Sequence, residues 1–145
     1  MNIYTLGYSG WKIEEVEAVL QQLDALLVDV RMIPRTRWTP LWNGAALYAR
    51  LGTGYVWLRE FGNVNYKGTF EQIQIANFPL GMKRLADLSG LPFDGAKNVV
   101  LMCGCRDVNV CHRKVLAERL AKEWTLEIVH LSPPAREVAK EPKLF

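Results

Sequence analysis

Apolar positions along the chain fall into two alternating patterns, short continuous runs and longer stretches at helical spacing. Ile3 to Leu6 is a β-prone run closed by Gly7, and Ile13, Val16, Val19, Leu20 and Leu23 then recur as one face of a helix. Ala25 to Val30 is almost continuously apolar, interrupted by Asp29 and followed by Arg31. That is the pattern of a central parallel strand whose polar residues emerge at its carboxyl end. A polar and aromatic loop is expected from Met32 to Asn43. A short helix from Ala45 to Leu51 stops at Gly52 and Gly54, and a strand follows from Tyr55 to Leu58.

Phe61 to Thr69, rich in Gly and Asn, reads as a long functional loop. Phe70 to Leu88 is helical in composition but contains Pro79 and Gly81, which predict a break into two helices. Val99 to Met102 is the next buried strand. From Val110 onward, Val115, Leu116, Leu120 and Trp124 mark an amphipathic helix, and Leu126 to Leu131 gives a last strand. Strands alternating with helices predict an α/β fold: a single-domain, open, mostly parallel sheet of about five strands with helices on both faces. The domain is expected over residues 1–132, with a loosely packed tail over 133–145.

A chain of 145 residues, half of them hydrophobic, suits one domain and cramps two. The net charge of +3 is too small and too dispersed to establish a nucleic-acid partner. Three cysteines within nine positions, an odd number, make a poor disulfide framework and fit reduced thiols. Neither a signal-peptide pattern nor an apolar run of about 18 residues is present, so the expected setting is cytoplasmic, with no membrane partner.

The chemistry concentrates in Leu101-Met-Cys-Gly-Cys-Arg-Asp-Val-Asn-Val-Cys-His-Arg113, at a strand-to-helix turn. In a parallel sheet the strands ending at Asp29 and Cys103 open on the same edge, a usual place for a site. Arg31, Arg35, Arg37, Arg106 and Arg113 are then expected on one rim beside a helix amino terminus. Together with Asp29 they outline a pocket for a phosphate, sulfate or carboxylate, or for a nucleic-acid backbone. The plainer reading leaves these arginines solvated or paired with Asp29, Glu60 and Asp107.

Cys103, Cys105 and Cys111 are candidate nucleophiles, because arginines and a helix amino terminus favour a thiolate. Buried free cysteines also serve as small hydrophobes. Cys103, at the pocket floor, is the expected reactive thiol, and His112 is an acid, a base or a hydrogen-bond donor beside it. Cys-x-Cys followed by Cys-His could also ligate zinc. The spacing argues otherwise: paired Cys-x-x-Cys arms are absent, and adjacent residues such as Cys111 and His112 on a helix point about 100° apart. No metal or other cofactor is therefore expected. The loop from Arg31 to Trp42 mixes three arginines with Trp38 and Trp42. It could clamp phosphates and stack a base, or simply pin itself to the domain.

Three pieces carry a resemblance: Tyr4-Thr-Leu-Gly-Tyr-Ser9, Leu27-Val-Asp-Val-Arg31 with Pro34-Arg-Thr-Arg37, and Cys111-His-Arg113. In this order and spacing they resemble the bacterial and archaeal domain-of-unknown-function family 488 over about residues 2–131. The resemblance implies a compact α/β domain with its polar motifs at one end of the sheet, and no established activity. The family usually has His where this chain has Tyr8, and commonly Glu where it has Cys105, so acid-base roles at those positions do not carry over. More loosely, the pairing of Asp-x-Arg with a strand-cysteine-loop-helix unit is similar to rhodanese-like sulfurtransferases, which would make Cys103 a persulfide carrier.

Two functions follow as expectations. The first is recognition of an anionic, phosphate- or sulfur-containing small molecule, extended to thiol-dependent transfer or hydrolysis. The second is a nucleic-acid-associated module with structural cysteines.

Overall fold

The computed structural model describes residues 1–68 and 70–135. Five strands form one sheet: β1 (Asn2–Gly7), β2 (Ala25–Asp29), β3 (Tyr55–Trp57), β4 (Asn98–Cys103) and β5 (Glu127–Leu131). Their order is β3-β2-β4-β1-β5, and every pairing is parallel, so the expected mostly parallel sheet is parallel throughout. Four α-helices connect them: α1 (Ile13–Leu23), α2 (Gly44–Leu51), α3 (Phe78–Ser89) and α4 (His112–Trp124).

The apolar pattern decides which face each helix covers. Val16 and Leu20 of α1 and Leu47 of α2 pack with Leu6, Leu27, Val100 and Met102 on one face. Leu85 of α3 and Leu116, Ala117 and Leu120 of α4 pack with Ile3, Val28, Val99 and Leu101 on the other. Alternate residues of each strand feed the two clusters, which is why β2 is buried at all five positions and reads as an unbroken apolar run.

The connections that follow β1 and β2 run along the α1 and α2 face toward β3. Those that follow β3 and β4 return along the α3 and α4 face toward β5. The carboxyl end of β4 therefore lies between two strands whose chains leave to the opposite face. A parallel sheet opens a crevice at such a point.

Two local expectations change. Phe70 to Leu88 forms a short 3-10 turn at Phe70–Gln72 and then one helix, α3, rather than two helices broken at Pro79 and Gly81. Pro79 sits in the first turn of α3, where its missing N–H is no loss, and the Asn77 side chain caps that turn by accepting from the Leu80 amide at 3.2 Å. The helix before β5 starts at His112, not Val110. A separate turn over Val108–Val110 precedes it, capped by Asp107 accepting from the Asn109 amide at 2.9 Å. The tail expected from Pro133 falls outside the described residues beyond position 135. Among the described residues no helix is long and apolar enough to cross a membrane.

Candidate functional site

At the end of β2, Asp29 is fully buried and Arg31 nearly so. Asp29 Oδ1 accepts from the Arg31 amide at 3.1 Å and from Arg31 Nε at 2.9 Å, while Oδ2 accepts from Arg31 Nη2 at 2.7 Å and from the Tyr55 hydroxyl at 2.6 Å. Arg31 Nη2 also donates to the Trp42 carbonyl at 2.6 Å, and its guanidinium stands 5.4 Å over the Tyr8 ring, itself stacked on Trp42. Trp57 Nε1 donates to the Arg31 carbonyl at 2.8 Å. These donors satisfy the buried Asp29 carboxyl group and hold Arg31 through Nε and Nη2, while Arg31 Nη1, also buried, has no partner among the described residues.

The second half of the site leaves β4. Cys103 closes the strand at 1% exposure, Cys105 is exposed in the loop, and Cys111 is the buried N-cap residue of α4. Their three sulfurs lie within 4.8 Å of one another. The turn over Val108–Val110 folds the start of α4 back over β4 and so brings Cys111 to the other two cysteines. Cys103, expected as the reactive thiol, is buried at the strand end and still lines the cavity described below, while Cys105 is the exposed cysteine of the three.

Arg113, 2% exposed, binds the cluster from behind. Its Nη1 donates to Cys103 Sγ at 3.3 Å and to the Cys105 carbonyl at 2.6 Å, and its Nε donates to Thr5 Oγ1 at 3.3 Å. Ser9 Oγ donates to the Gly104 carbonyl at 2.7 Å, fixing the loop from the other side. Gly7 leaves room for all of this, since a Cβ there would meet the Cys105 carbonyl and Arg113.

Thiol hydrogen bonds from Cys103 and Cys111 hold the Cys105 sulfur well below the ordinary thiol range, with the charge of Arg113 adding to the effect. Burial pushes the Cys103 thiol up. Cys111 is also pushed up: the Cys103 thiol favours its thiolate, but the neighbouring Cys105 charge and burial outweigh that. Of the three, Cys105 is the thiol whose surroundings favour the thiolate.

His112 Nε2 lies 2.6 Å from the Val30 carbonyl. A carbonyl can only accept, so Nε2 carries the proton. Burial lowers the imidazole pKa and keeps the ring neutral, which leaves Nδ1 with a lone pair. The expected donor role of His112 is thus spent on tying α4 to the end of β2.

Above these groups is a cavity of about 230 Å³, lined by Arg31, Cys103, Gly104, Cys105, Val110 and His112 on one side and by Met32, Ile33, Asn63, Tyr66, Gly68 and Ile73 on the other. The long loop expected from Phe61 onward supplies much of the second wall. Asn63 Oδ1 organises it by accepting from the amides of Asn65 at 3.0 Å and Gln74 at 2.9 Å.

The arginine rim is only partly assembled. Arg31 and Arg113 reach the thiol end, whereas the exposed Arg35 lines a separate groove with Tyr48, Tyr55 and Trp57. Arg37 is exposed, and Arg106 lies beside Gly10. Of the carboxylates considered as partners, Asp29 pairs with Arg31, Glu60 pairs with Arg84, and Asp107 caps a turn. Thr5, Tyr55 and Trp57 were not foreseen as site residues, because their side-chain partners lie on other strands and loops. Gly7 and Tyr8 stood in a noted motif whose physical role the sequence did not show.

No curated protein and no solved structure matches the chain, and the looser likeness to rhodanese-like sulfurtransferases is not shown. A family model does match, across a stretch holding Asp29, Arg31 and the whole thiol run. Described as a domain of unknown function, DUF488, it covers residues 12–120, and the chain belongs to that family.

Proposed function

We propose that the chain binds a small anionic, phosphate- or sulfur-containing molecule in the cavity over the β2 and β4 ends, with Cys105 as the thiol that meets it. The observation that carries this reading is placement. Of three clustered thiols, two line the cavity, Cys103 and Cys105, and of these Cys105 is the exposed one, on a loop whose carbonyl is held by Arg113. The N-cap position of Cys111 also puts the positive end of α4 at this edge, which favours a negatively charged ligand group.

The transfer chemistry that fits is attack on the outer sulfur of a thiosulfate-class donor. Cys105 forms the new S–S bond, the donor's S–S bond breaks, and its electron pair leaves with sulfite. The test is iodoacetamide labelling of the reduced chain in EDTA, read by peptide mass, with and without phosphate, sulfate or thiosulfate. The reading expects Cys105 to be labelled first and to be protected by at least one of these anions. Labelling of Cys105 no faster than in urea-unfolded protein, or indifferent to all three anions, would remove it.

A second reading has one observation in its favour. Trp38 is 84% exposed between Arg37 and Thr39, a side chain poised to stack on a base. Salt-sensitive binding of single-stranded or duplex oligonucleotides that is lost in Arg35→Ala and Arg37→Ala would support a nucleic-acid partner. Absence of binding at low salt would dismiss it.

A further inference from the structure

We propose that Cys103, Cys105 and Cys111 form a three-thiolate site for a thiophilic cation such as Zn²⁺, with the fourth coordination position opening into the cavity. The inference deepens the reading of that cavity as the ligand site, and rests on it only for what occupies the fourth position.

Geometry comes first. The three sulfurs arrive from three separately anchored pieces of backbone, the end of β4, the loop after it and the N-cap of α4, and all lie within 4.8 Å of one another. Tetrahedral zinc with Zn–S bonds of about 2.3 Å holds its sulfurs about 3.8 Å apart, so closure needs a contraction on the order of 1 Å and no change of fold. The loop is already fixed through the Gly104 and Cys105 carbonyls by Ser9 and Arg113. The earlier objection, that Cys111 and His112 cannot ligate together, does not apply. His112 is turned to the Val30 carbonyl, and the third ligand is Cys105.

Charge is the second observation. Arg113 is 2% exposed, and among the described residues no carboxylate lies within salt-bridge distance of it. Its neighbour is instead Cys103 Sγ at 3.3 Å. Three thiolates around a divalent cation leave one net negative charge, which the guanidinium matches. A disulfide between any two of the sulfurs would consume thiolate charge that this buried cation faces. Binding is balanced by proton release: each thiol that still carries a proton gives it to solvent as its S–metal bond forms.

A fourth position open to a lined cavity is the arrangement of a reactive metal site rather than a closed structural one. Cys103 and Cys105 both line that cavity, so a ligand entering it reaches the metal directly.

The experiment is titration of the reduced, full-length chain with Co²⁺, followed by displacement with Zn²⁺. The site requires one ion per chain, intense visible bands of tetrahedral cobalt and near-ultraviolet sulfur-to-cobalt charge transfer, all lost on adding Zn²⁺. Cys105→Ser, at an exposed position, is expected to keep the far-ultraviolet circular dichroism of the parent. It should lose part of the charge-transfer band and weaken Zn²⁺ by at least about tenfold. Folded, reduced chain that takes up no stoichiometric Co²⁺ overturns the proposal. So does a cobalt spectrum unchanged in both Cys105→Ser and Cys111→Ser, because the ion would then sit elsewhere. Anion protection of Cys105 in EDTA is measured without metal, so either result can fail while the other stands.

Discussion

Gly7 and Cys105 meet backbone to backbone. A Cβ on Gly7 would fall 1.7 Å from the Cys105 carbonyl oxygen and 2.6 Å from Arg113 Nη1, the donor that already binds that oxygen. The end of β1 is thus the floor on which the thiol loop rests.

Gly7→Ala should therefore lift the loop and strain the Arg113 contacts, with a loss of about 1–3 kcal/mol as for overpacking elsewhere. Urea denaturation gives the stability, and labelling of the three cysteines reports the loop. A variant with parental stability and an unchanged labelling order would show that the close approach is not needed.

Asp29 and Tyr55 set the alkaline side of the stability profile. Burial, then the Asp29 charge and hydrogen bond, push the Tyr55 hydroxyl far above the ordinary tyrosine value. The folded state therefore holds this proton more tightly than the unfolded one. That contribution is complete below the unfolded value of about 10 and is lost as pH rises beyond it. Tyr55→Phe should flatten this loss. Asp29→Asn, which leaves the Arg31 charge uncompensated in the interior, should cost about 3–5 kcal/mol at neutral pH. Denaturation midpoints between neutral and strongly alkaline pH measure both.

His112 acts in the opposite direction. Burial lowers its pKa, so the unfolded chain binds the proton more readily than the folded one. Stability is fully present above the unfolded value of about 6.5 and falls as pH drops toward the depressed folded value. His112→Gln keeps a donor for the Val30 carbonyl but does not titrate. It should reduce the slope of stability against pH on the acid side, a slope thermal melts can read. His130, also lowered by burial, should leave a smaller slope behind.

Gly81 supplies a case in which helix propensity gives the wrong sign. Alanine is favoured over glycine inside a helix by about 1 kcal/mol, yet a Cβ at Gly81 would lie 2.5 Å from the Phe61 ring. Phe61 is fully buried and packs 6.1 Å from Phe78, so it has little room to yield. Gly81→Ala should therefore destabilise the chain by about 1–3 kcal/mol in chemical denaturation, and a stabilised variant would show that Phe61 shifts freely.

Gly81 also shows where a sequence reading misleads. In the one-dimensional pattern Pro79 and Gly81 look like breakers. In the fold one occupies the first turn of α3, and the other is small because α3 crosses Phe61 closely. The strands were far easier to read, because β1, β2 and β4 are covered on both faces and must be apolar at nearly every position. The carboxyl ends of β2 and β4 followed from the same logic, since Asp29, Arg31 and Cys103 are where the apolar runs stop. Much of the arginine rim did not follow. Arg35, Arg37 and Arg106 lie on loops whose direction no period encodes: Arg35 lines a separate groove, Arg37 is exposed and Arg106 lies beside Gly10.

The sequence by itself determined the alternation of strands and helices, the parallel sheet and the edge at which its chemistry gathers, because burial on two faces imposes patterns that survive without coordinates. Only the tertiary structure decided that Cys111 rejoins Cys103 and Cys105, that Cys105 is the exposed thiol, and that Arg113 donates to the Cys103 sulfur. Those outcomes depend on one turn at Val108–Val110 and one missing Cβ at Gly7. Distances between segments are set by such close approaches, and spacing along the chain carries no record of them.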